Sequence, residues 1–326
     1  MTPTIILPVY NKIKYLPTTL PTLLSQSFRD FELIAVDDGS TDGSGKYLDN
    51  IARTDARIRV IHQKNSGVSC ARNTALDNAT GEYVVFADAD DTVNQDWLDV
   101  LVKEAEQSKA DIVISGFFSV NSDGKILDTV LPQGENTVTG KEFLNSFSVY
   151  QSNHGLPGFG HGKIVRRDLI NRYNFRFTPG LKLAEDLDFF VRLYERAESI
   201  RFIRFAGYNY LQGADNSTGN NSAYRVDYLS QIKIWLMITG ILQKNCAYGE
   251  NNAGFVEEKL GGYISCALLY RSDTNTASAA EIRQLCGNIK ATGTGALSPA
   301  AWFYNHRLGS LCRIYSGLYR HLGGAK

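Results

Sequence analysis

This chain of 326 residues has few cysteines, no excess of positive or negative charge and no long apolar run. Its five cysteines are widely spaced and include no CxxC pair, which argues against a disulfide framework and against a zinc site. Lys and Arg together number 34, as do Asp and Glu, so no global field would recruit nucleic acid. The apolar share of 43% still allows a sizeable core. The composition therefore predicts a globular protein with reduced thiols, as in the cytoplasm.

Membrane-spanning and export signals are also missing. The longest apolar stretch, 234–242, is far shorter than the roughly 18 residues that a spanning helix requires. The chain enters an apolar run at Ile5 with no basic segment before it, so we expect no secretory signal. These absences predict a cytoplasmic protein, attached at most to the inner face of the cell membrane.

The C-terminal tail is the exception to the balanced charge. No acidic residue follows Glu281, whereas six basic residues do. Between 308 and 322, leucines and a tyrosine recur at three- and four-residue spacing, with Arg313 and Arg320 on the opposite side. A basic amphipathic helix suits an anionic lipid surface, but a terminal helix packed on the core explains the pattern equally well. We assign 221–326 to a helical region that ends in this helix.

Apolar runs alternate with amphipathic segments over the first 120 residues. The predicted strands are Thr4–Pro8, Phe31–Val36, Arg57–His62, Tyr83–Ala87 and Asp111–Phe118, and the predicted helices between them are Leu16–Gln26, Gly43–Ala52, Val68–Asn78 and Asp96–Ser108. Because a parallel connection needs a covering crossover, this order predicts an α/β, doubly wound, Rossmann-like and mostly parallel sheet. We assign 1–220 to one domain, with halves at about 1–120 and 121–220.

The middle of the chain gives a less regular pattern. We predict a hairpin turn at 121–124, a loop at 151–162, a helix over Leu183–Arg196 and a strand over Ser199–Leu211. Lys163, Arg166 and Arg167 are expected either on a solvated helix face or against a ligand phosphate. The apolar stripe of the helix places Asp186 on its inward side and Glu185 and Asp188 on the far side.

Polar clusters follow four of the predicted strands. They are Pro8–Asn11, Asp37–Asp42, Asn65–Asn73 and Asp88–Asp91. In parallel α/β sheets, ligands bind at the carboxyl ends of the strands. Two carboxylates at Asp88 and Asp90 would repel each other, and a hard divalent cation such as Mn²⁺ or Mg²⁺ relieves that repulsion. The alternative is that these acids only cap the next helix.

Taken together, these clusters resemble the inverting nucleotide-sugar glycosyltransferases of family 2, which have the GT-A fold. The resemblance covers about residues 2–210 and implies that the domain at 1–220 is catalytic, with a donor half at about 1–120 and an acceptor half at about 121–220. It implies a pocket for the nucleoside base at Pro8, Tyr10 and Asp38, with Arg72 near base and phosphate. It also implies a DxD motif in which Asp90 binds the metal and Asp88 contacts the ribose or a metal-bound water. The Glu185-Asp186 pair matches the family's ED motif, whose aspartate is the catalytic base.

The resemblance implies a single displacement at the anomeric carbon. One sugar would move, with inversion, from a nucleotide-sugar to a saccharide or polyprenyl-linked acceptor. The family most often uses UDP-sugars, so we expect a UDP-sugar donor. The expected role is in cell-surface polysaccharide or glycoconjugate synthesis. The QxxRW motif of processive members is missing, so we expect one residue per encounter. The supporting positions are Asn11, Asn73, Asp91, Glu185 and His161. His154 and His161 are candidate third metal ligands, although a loop histidine is more often merely solvated.

Two other enzyme classes compete. The run from Asp88 to Thr92 fits the DxDxT nucleophile motif of haloacid-dehalogenase-like phosphatases, but that motif normally follows the first strand. A sugar nucleotidyltransferase would use a similar metal–diphosphate site, yet it normally has a Gly-rich basic loop after the first strand. Pro8–Lys14 does not supply such a loop.

Overall fold

The computed structural model describes residues 2–181, 183–214 and 228–269. The strands in this part of the chain are β1 Pro3–Val9, β2 Glu32–Asp37, β3 Ile58–His62, β4 Tyr83–Phe86, β5 Thr92–Val93, β6 Ile112–Val120, β7 Ile126–Val130, β8 Thr137–Val138, β9 Lys163–Arg166 and β10 Ile200–Leu211. The helices are α1 Leu16–Leu24, α2 Ser44–Ala52, α3 Val68–Asn78, α4 Trp97–Ser108, α5 Gly140–Asn145, α6 Phe147–Ser152, α7 Arg167–Arg172, α8 Glu185–Arg196, α9 Tyr228–Lys244 and α10 Glu250–Leu269. One 3₁₀ turn lies at Leu156–Gly158.

The described strands form one mixed sheet in the first of two compact units, which comprises 2–143, 149–181 and 185–214. The strand order is β3-β2-β1-β4-β9-β6-β10-β5, with β7 paired to β6 and β8 to β10. The pairs β3–β2, β2–β1, β1–β4 and β6–β10 are parallel, whereas β9 is antiparallel to β4 and β6. The predicted α/β fold with a mostly parallel sheet is confirmed.

Burial on both faces explains why the central strands have uninterrupted apolar runs. Ile5, Ile6 and Leu7 of β1 have no exposed surface, and neither have 33–36 of β2. Helices such as α1 cover these faces and bury Leu16, Leu20 and Leu23 at helical spacing. The polar residues that follow the strands therefore mark where the chain leaves this core.

The predicted hairpin is confirmed. β6 and β7 pair antiparallel, and the side-chain oxygen of Asn121 accepts hydrogen bonds from the backbone N–H groups of Asp123 and Lys125. Gly124 adopts a positive φ of 75°, a conformation that favours glycine.

The expectation for the basic run after His161 is wrong. Lys163 and Arg166 lie on strand β9 rather than on a helix, and Lys163 has no exposed surface with which to meet a ligand phosphate. Arg167 begins α7, and its guanidinium donates to the carbonyl oxygens of Thr80 and Gly81. The strand has only four residues, too few for periodicity to reveal it.

Helix α8 confirms part of its predicted phase and corrects the rest. Leu187, Phe190 and Tyr194 are buried as expected. However, Glu185 and Asp188 are also buried, each 8% exposed, so neither lies on a solvated far side. Apolar residues surround most of this helix, and its acids remain buried because arginines neutralise them: Arg72 pairs with Glu185, and Arg192 pairs with Asp188.

The second unit comprises, among the described residues, 144–148, 183–184 and 228–269. Within it, Phe147 packs its ring against Trp235 of α9, and Trp235 packs against Phe255 of α10. Asn252 donates to the carbonyl of Leu144 and accepts from the backbone N–H of Ser148. These helices confirm the predicted C-terminal helices; the basic terminal helix lies outside the described residues. None of the described helices is long and apolar enough to cross a membrane.

Candidate active site

The loops after β1 and β2 hold each other at the carboxyl edge of the sheet. The backbone N–H of Asn11 donates to Ser40 Oγ at 3.0 Å, and Asn11 Oδ1 accepts from the Thr41 N–H at 2.8 Å. The backbone N–H of Lys12 donates to Ser44 Oγ at 2.9 Å. The supporting position Asn11 thus has a structural role, in the left-handed region at φ 51°.

The predicted base pocket lies beside these loops. Tyr10 is 48% exposed, while Asp38 is 2% exposed. Asp38 accepts hydrogen bonds from Gln63 Nε2 and from the backbone N–H groups of Ser66 and Gly67 at 2.7–2.9 Å. The carboxylate therefore orders the loop after β3, and its contact with a nucleoside base stays a prediction, as does that of the partly exposed Pro8.

Arg72 of α3 gathers acids from both halves of the chain. Its Nη1 donates to Asp186 Oδ1 at 2.7 Å and Glu185 Oε1 at 3.0 Å, and its Nη2 donates to Asp88 Oδ1 at 3.0 Å. The guanidinium also lies 5.2 Å from the ring centroid of Phe177. We name Arg72, Asp88, Glu185 and Asp186 the Arg72 cluster. All four residues were identified from the sequence, but their contact was not. Arg72 is separated from Glu185 and Asp186 by 113 and 114 positions in the chain.

The predicted base, Asp186, has an environment suited to accepting a proton. Burial raises its pKa to about 7; Arg72 opposes the rise, while Glu185 and Asp88 add to it. Its second oxygen accepts from the backbone N–H of Gly160 at 2.9 Å. A general base is most effective when its pKa lies close to the working pH.

Lys163 holds the loop that carries Gly160. Its buried Nζ donates to the carbonyl oxygens of Leu156, at 3.0 Å, and of Phe159, and lies 4.8 Å from the ring centroid of Phe190. Burial lowers its pKa to about 7, against the opposing effect of Asp186. No sequence pattern distinguished this lysine from a surface lysine.

The acidic motif after β4 divides into one inner and two outer carboxylates. Asp91 is buried and accepts from the Tyr208 hydroxyl and the Leu211 backbone N–H, both at 2.7 Å. Burial, together with Asp90 and Asp88, raises its pKa well above the usual range. The Tyr208 hydroxyl in turn accepts from the Asp88 N–H at 3.0 Å. Asp91 therefore anchors the motif to β10, whereas the side chains of Asp88 and Asp90 remain 35% and 12% exposed.

Asp88 and Asp90 fit a divalent cation whose remaining ligands come from substrate and water. Their carboxylate oxygens are the ligands that Mg²⁺ and Mn²⁺ prefer. Burial raises the pKa of Asp90, as does the charge of Asp88, with Lys12 opposing, so an added positive charge is favourable there. Within the described residues, no group of three or more His, Cys, Asp or Glu side chains could hold a metal. Mg²⁺ usually takes only one or two carboxylates, with substrate phosphates and water as the remaining ligands.

The two histidines considered as third ligands are in very different places. His154 is exposed and lies 3.8 Å from Asp128. His161 is 4% exposed, so the expectation of a solvated loop histidine is wrong for it. Its ring stacks between Phe159 and Tyr208, with centroids 5.1 and 4.6 Å away. Burial, helped by Lys163, lowers its pKa to about 3, so the imidazole is a neutral part of an aromatic stack.

The supporting residue Asn73 holds the segment that carries Phe177. Its Nδ2 donates to the Phe177 carbonyl and its Oδ1 accepts from the Phe177 N–H, both at 2.8 Å. Because Phe177 lies against the Arg72 guanidinium, Asn73 stabilises one wall of the Arg72 cluster.

The acids lie at the carboxyl edge of an α/β sheet, where such sheets bind ligands, and the sequence match identifies the family. Residues 4–173 match the family described as Glycosyl transferase family 2. The chain belongs to this family. The match supports neither the phosphatase nor the nucleotidyltransferase alternative. The chain is 35% identical over 215 residues to the uncharacterized glycosyltransferase EpsJ of Bacillus subtilis, a match that covers 66% of this chain and 62% of EpsJ.

Solved structures share the fold. S. aureus TarS 1-349 in complex with UDP-GlcNAc superposes with a TM-score of 0.70 at 22% identity, covering 98% of this chain and 92% of that one. Mannosyltransferase PcManGT from Pyrobaculum calidifontis, in complex with GDP-Man and Mn²⁺, gives 0.54 at 17% identity, covering 99% and 88%. The predicted GT-A fold is confirmed.

Proposed function

We propose that this protein is a glycosyltransferase that moves one sugar from a UDP-sugar to a saccharide or polyprenyl-linked acceptor, with inversion at the anomeric carbon. The observation that carries the proposal is the Arg72 cluster, because one buried guanidinium holds the DxD acid Asp88 and the ED acid Asp186 together. The TarS structure with UDP-GlcNAc supports the choice of donor. We propose that this transfer serves cell-surface polysaccharide or glycoconjugate synthesis.

Asp186 is the base of this mechanism. It takes the proton of the acceptor hydroxyl as that oxygen attacks the anomeric carbon opposite the diphosphate, which inverts the configuration. Arg72 and the Gly160 N–H hold the two carboxylate oxygens, so the proton meets a carboxylate of fixed orientation. Asp90 and Asp88 would hold a divalent cation, which supplies Lewis-acid neutralisation of the departing diphosphate.

The donor is positioned by the loops after β1, β2 and β3. The exposed Tyr10 ring offers a face on which a base stacks, beside Pro8. Asp38, already ordered by three donors, accepts from the base N–H. Residues 1–220 form the catalytic domain in this proposal, and the basic segment at 308–322, which lies outside the described residues, attaches the protein to the inner face of the membrane.

Thermal unfolding with a panel of nucleotide-sugars tests this function. A UDP-sugar with Mn²⁺ should raise the melting temperature by roughly 5 °C at about 100 times Kd, because only the folded state binds it. The same samples should release UDP slowly as water replaces the acceptor. Asp90→Asn should lose the part of the shift that depends on Mn²⁺. If no UDP-sugar shifts the transition or is hydrolysed, the proposed donor class is wrong.

The pH dependence of that hydrolysis reports on Asp186. The protonated carboxyl cannot accept a proton, and burial raises its pKa to about 7. The rate should therefore rise about tenfold per pH unit below pH 7 and level off above it. A rate that is constant from pH 5 to 8 would exclude Asp186 as the titrating base.

A further inference from the structure

A lysine forms an ion pair with Asp90, the carboxylate that the proposed function assigns to the metal. Lys12 Nζ lies 2.6 Å from Asp90 Oδ2, and both side chains are largely buried, 14% and 12% exposed. The ammonium also lies 5.4 Å from the ring centroid of Tyr15. A contact this short between charged groups is a charge-assisted hydrogen bond, stronger than a neutral one.

Hydrogen bonds fix the backbone at Lys12, so the side chain extends toward Asp90 from a defined position. The Lys12 N–H donates to Ser44 Oγ at 2.9 Å, and the Ile13 N–H donates to Asp42 Oδ2 at 3.0 Å. Asp42 also accepts from the Ser44 hydroxyl, at 2.6 Å. The loop after β2 therefore fixes the point from which the Lys12 side chain extends to Asp90.

The charges around Asp90 explain why a cation beside it is favourable. Burial and the nearby charge of Asp88 both disfavour the ionised form of Asp90. A divalent ion would bind a carboxylate oxygen at about 2.1 Å. The ammonium at Asp90 Oδ2 would lie within a few ångströms of that ion, where like charges repel strongly. The ammonium and a divalent cation therefore compete for Asp90.

We propose that Lys12 is the resident counter-ion of Asp90, which a divalent cation displaces when it binds. This inference rests on the proposed function, since that function makes Asp90 a metal ligand. The displaced Lys12 ammonium remains close to the site, because its backbone is fixed, and it is stabilised by pairing with another anion. A nucleoside diphosphate supplies one, so metal and nucleotide bind more tightly together than either does alone.

Mn²⁺ binding without nucleotide tests the displacement directly. The free Mn²⁺ signal in electron paramagnetic resonance gives the dissociation constant for the full chain and its variants. Lys12→Met should bind Mn²⁺ about tenfold more tightly, because the ion no longer breaks a hydrogen bond between charged groups. Lys12→Arg keeps the cation and should bind no more tightly than the unchanged protein.

Two further variants separate this effect from net charge and from other sites. Lys14→Met removes the same charge from the same loop, where Lys14 is exposed, and should leave the Mn²⁺ affinity within about twofold, since exposed charges interact weakly. Adding Lys12→Met to Asp90→Asn should bring no further tightening. Unchanged or weaker binding in Lys12→Met, or no Mn²⁺ binding in any variant, would overturn the inference. UDP-sugar binding and hydrolysis decide the proposed function separately.

Discussion

Asp186→Asn is expected to lower transfer by about 10³-fold while the affinity for UDP stays unchanged. The amide cannot take the proton of the attacking hydroxyl, and general base catalysis contributes about 10²–10⁴-fold. Asparagine keeps the size of the side chain and one oxygen that can accept from Arg72. Turnover of the UDP-sugar and calorimetric titration with UDP measure the two effects in one preparation.

Asp188→Asn is the matched control for this change. It alters the same residue type on the same helix, but its carboxylate accepts from Thr178 and Arg192 rather than from Arg72. We expect turnover close to that of the unchanged protein. Near-normal turnover in Asp186→Asn would remove Asp186 from the mechanism, and loss of UDP affinity would make it a structural residue.

Arg72→Met is expected to lower the free energy of unfolding by about 3–5 kcal/mol at pH 8. The arginine side chain is 4% exposed and faces three carboxylates, and removing one partner of a buried ion pair leaves uncompensated charge. Arg72→Lys should recover only part of the loss, because one ammonium cannot reproduce the planar fork. Denaturant unfolding measures these differences.

The loss should shrink as the pH is lowered. Without Arg72, the pKa of Asp186 rises further, since the arginine acts to lower it. A group with a raised folded-state pKa destabilises the fold only above its unfolded pKa, and protonation relieves the penalty. The difference between variant and unchanged protein should therefore be smaller at pH 5 than at pH 8; an equal loss at both would contradict the charge explanation.

A second arginine provides the comparison for Arg72. Arg176 pairs with Asp77 at 2.8 Å, with side chains 30% and 57% exposed. Exposed pairs contribute at most about 1 kcal/mol, so Arg176→Met should change the free energy of unfolding little. If both variants lose the same stability, burial of the Arg72 cluster is not the cause.

Elements with strong local periodicity were predictable, and short or charged ones were not. Helix α3 has the predicted bounds, Val68–Asn78, and the hairpin at 121–124 lies where turn chemistry indicated it. Strand β9 was missed because four residues give no period and because it contains Lys163, whose burial depends on carbonyl oxygens of a neighbouring loop. His161 likewise gave no sign that Phe117 of β6 and Tyr208 of β10 pack against its ring.

The order of strands and helices, and the acids at the strand ends, are local properties of the chain. Hydrophobic period and turn residues act within a few positions of each other, so they are legible in the sequence. The meeting of Arg72 with Glu185 and Asp186, and of Lys12 with Asp90, was decided only by the tertiary structure. Such pairs join residues 78 to 114 positions apart, and only the packed sheet brings them within hydrogen-bonding distance.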